Sequence, residues 1–332
     1  MDRRYTLLFL LFFPLLAKGE SPERESKLRW EGFIRSILES ESLRNGELWH
    51  EGRLTVKTRR KEGFRAALEI EVETKTDTLD VREVVFDRKF DDDRRLELGY
   101  TQKRLGVEYE EDRQARTTIE RSLIYRRLEL FTYVGRETIL RYFKEDASGS
   151  FNDWSITAAV SEAQNGSLVG NWQTPVGGGA VRFGTWLMLG VDKIEGGNQA
   201  AAVAMNSFWK RDSESSWQIE WAFGLDPNQS EFEQVFDDDE RVFFTGLTGL
   251  YTAPVWKEDE ESISVTGGST MLLHDHREPK YNSLGLMLGV GYEWNDLRVS
   301  LNAELVGTSS PVEPEKRTYD DSRAALEAIY FF

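Results

Sequence analysis

Residues Leu297-Arg298-Val299-Ser300-Leu301-Asn302-Ala303-Glu304-Leu305-Val306 alternate apolar and polar side chains almost without interruption. Successive side chains of a β-strand point to opposite faces, so this stretch reads as a strand with one greasy and one wet face. Working outward, the pattern recurs. Phe64, Ala66, Leu68, Ile70 and Val72 interleave with Arg65, Ala67, Glu69, Glu71 and Glu73. Val181 to Leu189 and Trp217 to Phe223 behave alike, and Leu284, Leu286, Leu288, Val290, Tyr292 and Trp294 are opposed by Gly285, Met287, Gly289, Gly291 and Glu293. The segments are about ten residues long, the length that spans a bilayer as a tilted strand, and aromatics gather near their ends.

The chain opens Met1-Asp2-Arg3-Arg4, continues apolar from Tyr5 to Leu16, and then reads Ala17-Lys18-Gly19. That is the layout of a secretory signal peptide over residues 1–19, leaving 20–332 as one domain. Removing it takes away one anion and three cations and moves the formal charge from -16 to about -18. So acidic a chain argues against a nucleic-acid partner. There are no cysteines, which excludes disulfides, thiolate metal sites and a lipid-bearing cysteine anchor. Beyond residue 19 no apolar run is long enough for a membrane helix.

Strand-like segments fall near 28–37, 48–58, 64–74, 79–88, 94–101, 137–144, 153–161, 167–173, 180–191, 199–210, 216–224, 241–252, 262–274, 283–294, 297–306 and 323–332. The expected fold class is therefore all-β: a transmembrane antiparallel β-barrel of about 16 strands, in an outer membrane of the Gram-negative type. The longest connections, 102–136, 225–240 and 307–322, are the fifth, eleventh and fifteenth. All are odd, as they must be if both chain ends lie on the periplasmic side and long loops face outward. The last segment carries Leu326, Ala328, Tyr330 and Phe332 on one face. Tyr330 and Phe332 are the candidate signal to the barrel-assembly machinery.

A barrel this wide encloses water unless something folds into it. The fifth connection is the candidate. Thr117-x-x-Glu120 is a capping box before the helix-compatible run Ile119 to Leu130. Across 101–136 stand the cations Lys103, Arg104, Arg113, Arg116, Arg121, Arg126, Arg127 and Arg136 against six anions, a local excess of positive charge in an acidic chain. Lys103, Arg113, Arg116, Arg121, Arg126 and Arg127 are the candidate pore-constriction residues, because guanidinium groups in a narrow aqueous passage concentrate anions.

The stretches Leu79-Asp80-Val81-Arg82-Glu83-Val84-Val85-Phe86, Leu96 to Glu108 with Gly99, Lys103, Gly106 and Glu108, and Ile119-Glu120-Arg121-Ser122-Leu123 resemble the phosphate-selective porin O and P family. Trp30, Gly32 and Phe33 of the first strand are similar to it as well. The resemblance covers about residues 28–145. It implies a sixteen-stranded homotrimeric porin whose inward-folded third loop guides small anionic solutes such as phosphate. Outer-membrane lipid and lipopolysaccharide are the expected surroundings.

Other classes fit less well. The histidines are His50, His274 and His276; His274-Asp275-His276 sits at a strand end, where alternate residues share a face, and without further ligands it reads as a solvated loop. No Gly-x-Ser-x-Gly motif is present, so neither catalytic residues, cofactor nor metal is expected. A surface adhesin or structural barrel is the alternative, with the acidic connection holding Glu231, Glu233, Asp237, Asp238, Asp239 and Glu240 as its outer face.

Overall fold

The computed structural model describes residues 28–332 except 42–44, 59–62, 91–92, 111–117, 119–121, 131–132, 146–151, 162–164, 178–180, 195–196, 212–214, 227–241, 278 and 310–315. The signal-peptide reading, the capping box at Thr117 and Glu120 and most of the acidic eleventh connection lie outside the described residues.

The strands are β1 (Leu28–Glu41), β2 (Asn45–Thr58), β3 (Phe64–Glu73), β4 (Thr78–Lys89), β5 (Arg94–Gln102), β6 (Arg136–Glu145), β7 (Asn152–Val160), β8 (Gly166–Val176) and β9 (Val181–Ile194). They continue with β10 (Gly197–Arg211), β11 (Ser216–Asp226), β12 (Val242–Glu258), β13 (Glu261–Leu273), β14 (Asn282–Trp294), β15 (Leu297–Ser309), the two-residue β16 (Arg317–Thr318) and β17 (Arg323–Phe331). Consecutive strands pair antiparallel, and β17 pairs with both β15 and β1, so sixteen long strands close on themselves. Each predicted segment corresponds to one long strand. The exception to the prediction is β16, too short to carry a periodic signal, which rides on β15 within the fifteenth connection.

Closure satisfies the backbone polar groups that an open edge would leave bare in lipid. At the seam Phe33 pairs with Phe331, Gly32 N–H donates to Phe332 O at 3.1 Å, and Phe332 N–H donates to Gly32 O at 3.0 Å. A side chain at Gly32 has no room: its Cβ would lie 2.2 Å from Arg53 O and 2.7 Å from Phe332 Cζ. Inside the same seam the wholly buried Arg35 is ion-paired to Glu327 of β17 and, at 3.2 Å, to Glu51 of β2.

The apolar faces point outward. Leu286, Leu288, Leu301, Ile156, Leu187 and Phe223 are among the large side chains exposed on the barrel exterior. Aromatics crowd the end bearing the short even-numbered connections. Tyr142 lies 6.3 Å from Phe90 and 5.4 Å from Trp154, while Phe183 lies 6.3 Å from Trp172 and 4.8 Å from Phe208. Such a belt matches the headgroup level of a bilayer. Short turns at that end include Asn295-Asp296, where Asn295 takes a φ of 49°, a left-handed conformation that asparagine tolerates. The three longest connections are the fifth, eleventh and fifteenth, in agreement with the parity expected from the sequence. No helix among the described residues is long and apolar enough to cross a membrane.

Candidate functional site

The fifth connection, 103–135, leaves β5 and returns to β6 by way of two helices, α1 (Val107–Glu110) and α2 (Leu123–Leu130). Leu105, Val107, Ile124, Tyr125, Leu128 and Tyr133 form one buried cluster with wall residues that include Trp186, Met205, Trp209, Ala222, Phe244 and Leu272. These wall residues lie on β9 to β13 and break the polar lining there. Apolar burial of about 1.5–3 kcal/mol per large side chain therefore draws the loop into the barrel and against that wall. Small residues make the seat: a Cβ at Gly246 would lie 2.6 Å from Ile124 Cγ1, and one at Gly285 would lie 3.1 Å from Leu123 Cδ1.

A buried carboxylate fixes the loop's position. Glu220 of β11 is inaccessible to solvent; it accepts hydrogen bonds from Val107 N–H at 3.1 Å, Gln218 Nε2 at 3.0 Å and the Ser207 hydroxyl. Gly106, at a φ of +80°, supplies the left-handed step that turns Val107 N–H toward it. Glu108 N–H donates to Tyr125 Oη at 3.1 Å, and Glu108 Oε2 accepts from Ser122 N–H at 3.2 Å, at the start of α2. Burial, followed by the nearby carboxylates of Glu220 and Glu108, pushes the Tyr125 phenol well above its ordinary value, so it remains a neutral donor. At the other end of the loop Tyr133 Oη donates to Leu225 O. Gly106, Glu108 and Ser122, prominent in the sequence, thus serve as anchors of the loop. Glu220 carried no local signal, because its partner lies 113 residues away in sequence.

Of the candidate constriction residues, Lys103 is buried against Glu137 at 2.7 Å. Arg126 projects from α2 to Glu304 of β15 at 2.7 Å. Arg127 is buried on the side of α2 facing His274. Arg113, Arg116 and Arg121 lie outside the described residues. The sequence reading missed a second set of charges on the wall that the loop leaves uncovered. Arg53 reaches Glu71 at 2.6 Å, Glu69 at 3.3 Å and Glu51 at 3.4 Å; Arg65 meets Asp87 at 2.6 Å; Arg141 meets Glu97 at 2.9 Å; Arg82 pairs with Glu71. The available signal was the arginine recurring on the polar faces of β1 to β6. Between these strands and Arg104 of the loop lies a cavity of about 200 Å³.

The two-histidine arrangement is resolved into separate environments. His274 Nε2 is 2.7 Å from Ser283 Oγ and its ring stacks on Tyr281 at 4.4 Å, whereas the exposed His276 lies edge-on to Phe243 at 5.3 Å. Burial, and then the charge of Arg127, lower the His274 pKa to about 3. Burial raises the Asp275 pKa, yet the hydrogen bonds from Arg277 outweigh it and hold the carboxyl below its usual value. Among the described residues no three metal-ligating side chains converge.

No protein-family profile and no curated protein matches the sequence. Solved structures do. The outer membrane channel DcaP of Acinetobacter baumannii superposes with a TM-score of 0.60 at 10% identity, over 95% of this chain and 99% of that one. An anion-selective porin from Comamonas acidovorans gives 0.59 at 9% identity, over 93% and 100%. The trimer form of OmpT, an outer membrane protein of Vibrio cholerae, gives 0.56 at 12% identity, over 92% and 99%. At such identities the likeness shows a common fold.

Proposed function

We propose that the protein is an outer-membrane channel for passive diffusion of small hydrophilic solutes. The observation that carries this reading is a lumen narrowed by an anchored loop on one side and lined by ion-paired, water-compatible side chains on the other. A solute would pass between α2 and the charged wall of β1 to β6. An apolar exterior, an export signal at residues 1–19 and assembly directed by Tyr330 and Phe332 are the corresponding proposals for its route to the membrane. The solved structures with this fold include a channel, an anion-selective porin and a trimeric protein, which supports homotrimers surrounded by outer-membrane lipid and lipopolysaccharide.

Selectivity belongs to the same proposal. Phosphate is suggested by the sequence resemblance and by the loop arginines. Arg126 and Lys103 each face a carboxylate at 2.7 Å, and arginines and carboxylates alternate on the wall, so we infer at most a modest anion preference. Planar bilayers doped with purified protein test the channel: stepwise conductance in potassium chloride is expected. Absence of steps from correctly folded protein would favour the adhesin instead. Conductance ratios for chloride, phosphate and an uncharged sugar then rank the solutes.

A further inference from the structure

On the outside of the barrel, the end that bears the short turns carries exposed cations among its aromatics. Arg88 of β4 is exposed on the lipid-facing side, while its neighbour Asp87 is buried toward the lumen against Arg65. In register across the sheet Arg88 stands between Phe64 of β3 and Leu96 of β5, and Phe90 is the next residue of its own strand on that face. The Arg88 guanidinium lies over both rings, 4.9 Å from the centroid of Phe64 and 5.0 Å from that of Phe90. Both rings are themselves half exposed. The outward-facing row nearer the turn adds Arg94 and Lys144, which pair across β5 and β6.

These cations differ in how their charge is met. Asp93 lies 3.9 Å from Arg94 and 3.6 Å from Lys144, and Asp153 lies 3.1 Å from Lys144. Arg88 is met by ring faces instead, and among the described residues no carboxylate is within ion-pair distance of it. Aromatic faces attract the charge but offer no oxygen to the in-plane N–H donors of the guanidinium. A cation on a lipid-facing strand is costly at the bilayer centre and tolerated near the headgroups, the level at which the aromatic belt places this end. The acceptor available at that level is a lipid phosphate. Toward the bilayer centre the next outward-facing row is Phe86, Leu98 and Leu140, in register on β4, β5 and β6 and each about half exposed. A phosphate at Arg88 thus has an apolar track for its acyl chain directly beside it.

The geometry points to a binding site for one glycerophospholipid on the outer wall of β3 to β6, its phosphodiester on the guanidinium edge of Arg88 and an acyl chain along Phe86, Leu98 and Leu140. This rests on the membrane placement proposed above and not on conduction. Arginine suits the task, because its planar fork donates two parallel hydrogen bonds to phosphate oxygens, which a lysine ammonium does not match. The two rings also restrict a side chain that otherwise samples many rotamers, so less entropy is lost when the phosphate binds. A free phosphate ion would forgo the apolar row. Lipopolysaccharide belongs to the leaflet of the long connections, at the other end of the barrel. A lipid without phosphate would leave the fork without an acceptor.

Native mass spectrometry of the full chain folded in a neutral detergent tests this, with dioleoyl phosphatidylethanolamine, dioleoylglycerol (chains without phosphate) and glycerol 3-phosphate (phosphate without chains) as probes. The phospholipid should be retained as a single adduct, about tenfold more tightly than either control, a difference of about 1.4 kcal/mol. Arg88→Gln should lower its retention to that of dioleoylglycerol. Lys210→Gln, which removes a cation from the same outer face near the foot of β10, should leave it unchanged. Equal retention of dioleoylglycerol, equally tight binding of glycerol 3-phosphate, no effect of Arg88→Gln, or an equal loss in Lys210→Gln overturns the site; heat-modifiable gel migration verifies that each variant barrel is closed. Conductance in potassium chloride is read separately. A conducting protein that shows no preference for the phospholipid loses this site and keeps the channel, whereas a non-conducting protein that retains it loses the channel and keeps the site.

Discussion

At Gly106 a methyl group would lie 2.0 Å from Tyr125 Oη and 2.8 Å from Glu220 Oε1, on a backbone held at a φ of +80°. Gly106→Ala should therefore break the anchor of the inward loop at a cost of about 1–2 kcal/mol from backbone conformation alone. Broadened single-channel conductance levels, with faster proteolysis within 103–135, would report it; a single sharp level like the parent's would contradict the anchoring role. A second residue-scale prediction concerns His274, whose pKa is lowered from 6.5 to about 3. The folded state then binds fewer protons than the unfolded state, so stability is complete above about pH 6.5 and falls as the pH drops toward 3, by about 1.4 kcal/mol per unit. Amide exchange around 274–283 should accelerate through that window, and His274→Gln should flatten the dependence. At this scale the sequence was partly legible. Gly106 and Glu108 stood out through spacing, whereas Glu220 and Ser283 acquire meaning only when distant strands bring partners to them.

Strands were the most legible elements, because a lipid-facing surface imposes alternation, a pattern weak in the eighth segment and interrupted where the β3–β4, β6–β7 and β12–β13 ladders shift register. Their ends were less so. β1 continues to Glu41, beyond the expected boundary near 37, because Leu38 and Ser40 still pair with Leu48 and Gly46 after the apolar run has thinned. Conversely, α2 begins at Leu123, later than the helix-compatible run suggested, with Ser122 N–H held by Glu108 at its start. The closing strand gives the element-scale prediction. Phe332 lies over Gly32 and completes the β1–β17 ladder, so deleting it removes two backbone hydrogen bonds as well as a ring. Refolding in detergent should lose a modest fraction of heat-modifiable, closed barrel. If Tyr330 and Phe332 also address the assembly machinery, the loss in cells should be several-fold larger than in detergent, and equal losses would reduce the tail to a seam.

For the whole molecule, the alternation in the sequence specified which surface meets lipid, and the parity of the long connections specified which end of the barrel carries them. The division of the interior between an apolar seat for the loop and a charged wall was not legible, because inward-facing Trp186, Met205 and Phe244 look like any other apolar residues of a strand. That division determines how charge acts on a passing ion. The formal charge of -16 says little about selectivity when lumen cations such as Arg53, Arg65 and Arg126 sit against carboxylates. Arg126 and Glu304 offer the sharpest test, since they join the loop to β15 of the wall at 2.7 Å. Arg126→Ala removes the nearer cation of Glu304, which keeps Arg323 at 3.8 Å, and should move the reversal potential in a salt gradient toward cations; Glu304→Gln leaves the guanidinium and should move it toward anions. If pairing sets the field, the double variant returns close to the parent value, so the two shifts couple rather than build on one another. Alanine at Arg121, Arg126 and Arg127 together extends the test to the rest of the loop. A cation-ward shift larger than that of Arg126→Ala would assign the remaining anion preference to the loop, and an equal shift would assign it to the strand arginines of the wall.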